Sequence, residues 1–394
     1  MSERIAVVGA KRTPIGRFLG SFSDLSAVDL GVVAAKAALD HAGVAPAEID
    51  EVIFGHARQA GCGPNPGRQV GVRAGVPATA PGMTVNQACG SGLATLFMAR
   101  RRILAGEARV VLVGGMESMT RVPHLLPRAR LGYRLGHDRV VDGMYRDGFD
   151  CPLAGQVMGA TAETLADQYA ISRKEQDAFA ARSQNKAEAA WEANRFASEI
   201  APVTVTMKKG EAVVDRDEHF RAGVTPDSLA KLPTVFRKDG TVTAGNSSGI
   251  TDGAAALVVM PASEAARRKA TVLAWLEAGT TAGVDPKVMG IGPVPAVRAL
   301  EERTGRSSAD YDLVELNEAF AAQVLAVDRE LHLDHERLNV NGGAIALGHP
   351  IGATGARIAV TLVHEMERRG AGLGLATLCV SGGMGLAASF VREP

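Results

Sequence analysis

The sequence predicts an α/β protein built from two related halves, with a segment between them that belongs to neither. Three observations carry this. A helix–glycine–strand unit occurs twice, a strand–turn–helix–strand unit follows it twice in the same order, and residues of about 118–250 match neither copy.

The first unit opens with Leu30, Val33, Ala34, Ala37 and Ala38 on one helical face. Gly43 ends that helix, and the apolar run Ile49–Gly55 follows as a strand. Its counterpart starts a helix at Pro295–Leu300, stops near Gly305 and continues as the strand Tyr311–Asn317. The step from Gly43 to Asp50 equals that from Gly305 to Asp312.

In the second unit, Val85-Asn86 leads through a Gly-rich turn into a helix over about 92–104, then the strand 110–113 and Gly114-Gly115-Met116. The later copy runs from Val340-Asn341 through a longer Gly-rich turn to a helix over about 355–369. It ends in the strand 375–380 and Gly382-Gly383-Met384.

These repeats place the N-terminal half at 1–117, completed by about 251–270, and the C-terminal half at 271–394. Within the insertion, Ser172 and Glu175 form a capping box that opens a helix to about Arg195, while 122–152 is rich in Arg, Gly and Pro and reads as irregular. An insertion of this length calls for a functional role.

Composition narrows the function classes. With 394 residues, 46% apolar and 22% charged, the chain has the make-up of an ordinary globular protein of several domains. Lys+Arg and Asp+Glu are both 43, so no global field attracts nucleic acid or anionic lipid. No apolar stretch approaches the ~20 residues that span a bilayer. The N-terminus has no signal-peptide layout, and a cytoplasmic location is expected. Cys62, Cys89, Cys151 and Cys379 have spacings that suit neither a metal site nor a disulfide framework.

Two of the cysteines stand in chemically suggestive places. Cys89, in Asn86-Gln87-Ala88-Cys89-Gly90-Ser91-Gly92, lies at a strand-to-helix junction where the helix dipole and backbone N–H groups favour thiolate. Cys379 ends a strand and precedes Ser381-Gly382-Gly383-Met384. On its own it reads as a buried strand cysteine, and the repeat relates its segment to that of the other half. His349 lies between Gly348 and Pro350 in a loop with five glycines, a setting for an acid–base group near neutral pH. Asn317, at the carboxyl end of a strand, can serve an oxyanion or cap a helix.

Five motifs together resemble the thiolase family over essentially the whole chain. They are VNQACGSGL at Cys89, VLVGGMESM after it, NEAFAAQ from Asn317, NVNGGAIALGHPIGATGAR around His349 and LCVSGGMGLA around Cys379. The resemblance implies the thiolase fold: two duplicated α/β halves, each with a five-stranded mixed sheet, in a five-layered αβαβα arrangement with an inserted loop domain. It implies a homodimer or homotetramer that cleaves 3-oxoacyl-CoA with CoA, in fatty acid β-oxidation, and needs no separate cofactor because CoA is itself a substrate.

It also implies roles for single residues. Cys89 would carry the acyl group, His349 would activate it, and Cys379 would exchange the α-proton of acetyl-CoA. Asn317 would hold a water in one oxyanion hole, and the N–H groups of Cys89 and Ser381 would form the other. Glycine is common in the family where Ser381 stands, so the turn must not demand a positive φ there. Arg221 and Ser228 would meet the nucleotide end of CoA, Ala244 and Ser248 the pantetheine arm, and Met158 and Phe320 the apolar region near its thiol. Short-chain acetoacetyl-CoA thiolases often carry His where this chain has Val157, which favours a longer acyl tail. The rivals are a biosynthetic acetoacetyl-CoA thiolase, a decarboxylating condensing enzyme acting on carrier-protein thioesters, and a non-catalytic thiolase-like lipid carrier.

Overall fold

A computed structural model describes residues 3–208 and 210–393. Met1, Ser2 and Pro394, at the ends of the two expected halves, lie outside them. The N-terminal half contributes β1 (Ile5–Arg12), α1 (Ala27–Ala42), β2 (Glu51–Gly55), β3 (Gly82–Val85), α2 (Ser91–Leu104) and β4 (Val111–Ser118). The insertion holds α3 (Met158–Gln168) and α4 (Arg173–Glu192). After it come β5 (Thr251–Pro261), β6 (Ala274–Gly283), α5 (Pro293–Thr304), β7 (Leu313–Leu316), α6 (Ala321–Leu331), α7 (Ile351–Arg369), β8 (Leu373–Val380) and β9 (Met384–Val391).

Strand pairing follows the order β7-β8-β9-β6-β1-β5-β4-β2-β3, with Gly16–Arg17 as a short tenth strand against the Thr251 end of β5. The two sheets expected from the repeat are therefore joined. Ile5–Val7 of β1 pair with Ala274–Leu276 of β6 at one corner. The fifth strand of the C-terminal half is reduced to a bridge between Val314 and Leu338, which stands where β3 stands in the other half.

Period-two alternation sends each strand's side chains to both faces. Ile5, Val7, Val111, Val113, Leu257 and Val259 point inward to α2 and α7, where Leu93, Leu96, Phe97, Ile358 and Val363 meet them and Leu378, Leu386 and Phe390 of the other half. Ala6, Val8, Leu112 and Val258 face α1 on one outside; Leu316, Leu375 and Ala387 face α5 and α6 on the other. The layers are thus helix, sheet, paired central helices, sheet, helix.

At the centre α2 and α7 nearly touch. A Cβ on Gly92 would come 2.5 Å from the Ala356 nitrogen, and one on Gly355 would come 2.3 Å from the Leu93 nitrogen. No residue larger than glycine fits at either place.

The outer helices stop as their glycines predict, with Gly43 (φ 62°) and Gly305 (φ 70°) both left-handed. Ser172 and Glu175 form the expected capping box, though α4 ends at Glu192 rather than Arg195. The central helix α7 begins at Ile351, a turn before Gly355, because Pro350 is set at its N-cap. Segment 122–152 is mostly turns, with two-residue strand pairs and a π-helical turn at Tyr145–Phe149. Among the described residues no helix is long and apolar enough to cross a membrane.

Candidate active site

Cys89 follows a sharp corner. Ala88 adopts φ 44°, a left-handed conformation costly for alanine, and Asn86 Oδ1 holds it by accepting the Ala88 N–H at 3.0 Å. Ser91 Oγ accepts from Gln87 N–H at 2.9 Å and donates to the Ala88 carbonyl at 2.6 Å, closing the turn just before α2. The corner presents the sulfur at the positive end of the helix.

His349 meets it from the other half. Its Nε2 lies 3.3 Å from Cys89 Sγ, and its Nδ1 lies 2.6 Å from Thr354 Oγ1. The Thr354 hydroxyl donates to the Pro350 carbonyl at 3.1 Å, so toward His349 it accepts, which puts the ring proton on Nδ1. Nε2 then turns its lone pair to the thiol. Burial, with the nearby Arg357 and Arg58 charges, pulls the His349 pKa down to about 3, so the imidazole is neutral at rest.

The helix-start influences that favour thiolate at Cys89 meet an opposing one. Surrounding protein pushes its pKa up, and this outweighs the Ser381 backbone N–H, the Arg58 charge and its own N–H, which act the other way. A neutral thiol beside a neutral imidazole acceptor is the arrangement of a nucleophile and its general base.

Cys379, at the end of β8, is fully buried, and burial followed by the Cys89 charge drives its pKa far upward. The turn after it uses Gly382 (φ 89°) and Gly383 (φ 87°) for the left-handed positions; Ser381 is not left-handed and keeps its side chain without strain. The backbone N–H groups of Ser381 and Cys89 both act to lower the Cys89 pKa.

Asn317 is fully buried and, among the described residues, neither its amide nitrogen nor its amide oxygen has a partner. The alternative of a helix cap is overturned, because α6 begins at Ala321 with Phe320 as its N-cap. A free amide of this kind fits a bound water. Its neighbour Glu318 accepts from Ser183 Oγ (2.6 Å), Asn339 Nδ2 (2.8 Å) and the Ile345 N–H (3.1 Å), tying β7 to the loop that leads to His349.

Phe320 and Met158 pack with Cys379 in one apolar cluster, and Phe236 meets Phe320 edge-on at 6.0 Å. The Ser248 N–H donates to the Ala319 carbonyl at 3.0 Å, which sets Ala244–Ser248 along the same edge. Arg221 and Ser228 stay at the surface beside α4. The Arg221 N–H bonds Gln184 Oε1 (2.8 Å), and Ser228 Oγ bonds the Thr225 carbonyl (2.7 Å).

Three contributors had no role in the sequence reading: Thr354, Arg58 and Glu117. Thr354 lies one helical turn past Pro350 inside the histidine motif, a position that could have marked it. Glu117 accepts the N–H groups of Ala57 (3.2 Å), Arg58 (3.2 Å) and Gly352 (2.9 Å), with His56 Nε2 at 3.1 Å, and so clasps β2's loop to the start of α7. Among the described residues no group of three or more His, Cys, Asp or Glu is placed to hold a metal.

The N-terminal domain model of the thiolase family matches residues 5–263, and the C-terminal domain model matches 270–392. The acetyl-CoA acetyltransferase of Paracoccus denitrificans is 50% identical over 389 residues, 99% of each chain. That of Shinella zoogloeoides is 51% identical over 387 residues, 98% of each. Among solved structures, the acetyl-CoA acetyltransferase of Syntrophomonas wolfei superposes with TM-score 0.98 at 43% identity, covering all of both chains. Human mitochondrial 3-ketoacyl-CoA thiolase superposes with TM-score 0.96 at 43% identity over 99% of each. With both domain models matched in order and the whole fold shared, the chain belongs to the thiolase family and is an acyltransferase.

Proposed function

We propose that this enzyme is a thiolase that cleaves 3-oxoacyl-CoA with CoA, and that Cys89 carries the acyl group. The observation that carries this reading is the contact of His349 Nε2 with Cys89 Sγ, oriented by Thr354.

His349 takes the thiol proton, and the thiolate attacks the 3-oxo carbon. The C2–C3 bond breaks, the acyl group stays on Cys89, and the acetyl-CoA enolate takes the proton of Cys379. A resting Cys379 held as thiol suits this donation. CoA then attacks the acyl-enzyme. Its thiol proton restores Cys379, and the departing Cys89 thiolate recovers its proton from His349. The N–H groups of Cys89 and Ser381 steady one oxyanion, and a water on Asn317 the other. CoA itself extends along Met158, Phe320, Ala244 and Ser248 to Arg221 and Ser228. None of these steps calls for a metal or prosthetic group. A homodimer or homotetramer is the expected assembly.

A second reading is condensation of two acetyl-CoA to acetoacetyl-CoA. The name carried by relatives at 50–51% identity favours it. Val157, half-buried against Asp150, weighs toward longer tails. Each buried methylene adds about 0.8 kcal/mol, so two or three shift specificity roughly ten-fold or more. The test is kcat/KM for acetoacetyl-, 3-oxohexanoyl- and 3-oxooctanoyl-CoA with wild type and Val157→His. The longer substrates should be cleaved at least as well as acetoacetyl-CoA, and a strong wild-type preference for acetoacetyl-CoA overturns the degradative reading. Absence of turnover with every substrate would leave the lipid carrier.

A further inference from the structure

Arg58 is a buried cation that the reaction just described does not use. It is only 7% exposed, and its Nε has no hydrogen-bond partner among the described residues. Its backbone N–H is tied to Glu117, but the described residues place no carboxylate at ion-pairing distance from its guanidinium. Glu117 is instead faced by His56, 3.1 Å away. Contacts with Cys62 and Glu117 outweigh burial and raise the His56 pKa to about 9. Glu117 is held below the ordinary carboxylate range despite its burial, chiefly by His56. Among the described residues the Arg58 guanidinium is thus left without a carboxylate of its own.

Arg58 lies close to Cys89, the residue read as the acyl carrier. Ala57, next to Arg58, packs in one apolar cluster with Met144 and Ile351, against Cys89 and Phe149. The guanidinium lies beneath the turn that carries Phe149. A Cβ on Gly148 would come 2.7 Å from Arg58 Nε and 3.0 Å from Nη2. The Arg58 charge is also felt at Cys89 and at His349.

A plain alkyl tail packed here would seal an unpaired cation away from water, at a substantial cost. A carboxylate would supply the missing anion, and the planar guanidinium fork matches its geometry. We propose that Arg58 receives a carboxylate at the far end of the acyl chain, so that the enzyme favours mono-CoA thioesters of 3-oxodicarboxylic acids. This rests on the thiolase reading and specifies its substrate.

The experiment compares substrates of equal carbon number that differ by one terminal charge. These are 3-oxoadipyl-CoA against 3-oxohexanoyl-CoA and 3-oxosuberyl-CoA against 3-oxooctanoyl-CoA, with wild type, Arg58→Lys and Arg58→Leu. Wild type should favour the acid in at least one pair by about ten-fold or more in kcat/KM, the scale of a charge-assisted hydrogen bond. The ratio should shrink in Arg58→Lys and vanish in Arg58→Leu. Wild type treating both pairs alike, or favouring the neutral members, overturns the proposal without help from any variant. So does an Arg58→Leu protein in which acid and neutral substrates fall together, since the charge would then serve Cys89. Failure of all four substrates overturns the proposal, and failure of acetoacetyl-CoA as well overturns the thiolase reading itself.

Discussion

Replacing Thr354 by Val removes one hydroxyl at nearly constant shape and isolates the step that makes Cys89 reactive. The Oγ1 at 2.6 Å is the acceptor of the His349 Nδ1 proton, and the ring is 7% exposed, so water does not readily replace it. An unpaired buried donor costs about 1–3 kcal/mol, and the imidazolium formed on proton transfer loses a charge-assisted bond of similar size. The penalty falls on the tautomer that acts as base, because the alternative turns its proton toward the sulfur. At about 1.4 kcal/mol per decade, acyl-enzyme formation should slow by roughly 5- to 100-fold. Rapid-mixing measurement of acyl transfer to Cys89 reads this directly. KM for CoA should barely move, and Thr354→Ser should recover most of the rate. A Thr354→Val enzyme within three-fold of wild type, or a Ser variant no better than Val, would refute the orienting role.

Acyl-CoA treatment followed by peptide mass analysis should place the adduct on Cys89, and an adduct on Cys62, Cys151 or Cys379 contradicts the mechanism. Cys379→Ala should still take an acetyl group from acetyl-CoA yet fail to make acetoacetyl-CoA, whereas Cys89→Ala should fail at both; near-normal condensation by Cys379→Ala removes it as the proton carrier. Arg221→Ala should weaken CoA substrates more than pantetheine thioesters, and equal loss on both points to folding damage. His56, raised to about 9 from an unfolded value near 6.5, contributes stability that is fully present below pH 6.5 and lost as pH rises through 9. The stability gap between wild type and His56→Gln in urea unfolding should therefore shrink by about 3 kcal/mol over that window; a constant gap refutes the raised value.

The helix stops at Gly43 and Gly305 were legible because a left-handed C-cap is a local demand. The capping box at Ser172 was legible for the same reason. The neighbourhood of Cys89, His349 and Cys379 was legible through the repeat and the motifs. What the sequence hid were long-range balances. Whether Cys89 rests as thiol or thiolate depends on how much protein surrounds its sulfur, which no helix-start pattern reports. Glu117 reads as one more polar residue after a strand, and only folding brings Gly352 to it. The merging of two sheets at Ile5–Val7 likewise depends on a partner strand about 270 residues away. Asn317 was read two ways because Asn suits a cap as well as an oxyanion, and the late start of α6 decided between them.

The glycine crossing of α2 and α7 bears on how such an enzyme can change. Cys89 rides just ahead of one helix and His349 just ahead of the other, so the gap between nucleophile and base is set by two backbones in contact. Side-chain repacking has no purchase there, and the reacting pair behaves as a machined joint rather than an adjustable clamp. Variation for new substrates is then channelled outward, to Arg58, Val157 and the turn at Tyr145–Phe149. A directed-evolution library confined to those wall positions explores specificity while the chemistry stays in register.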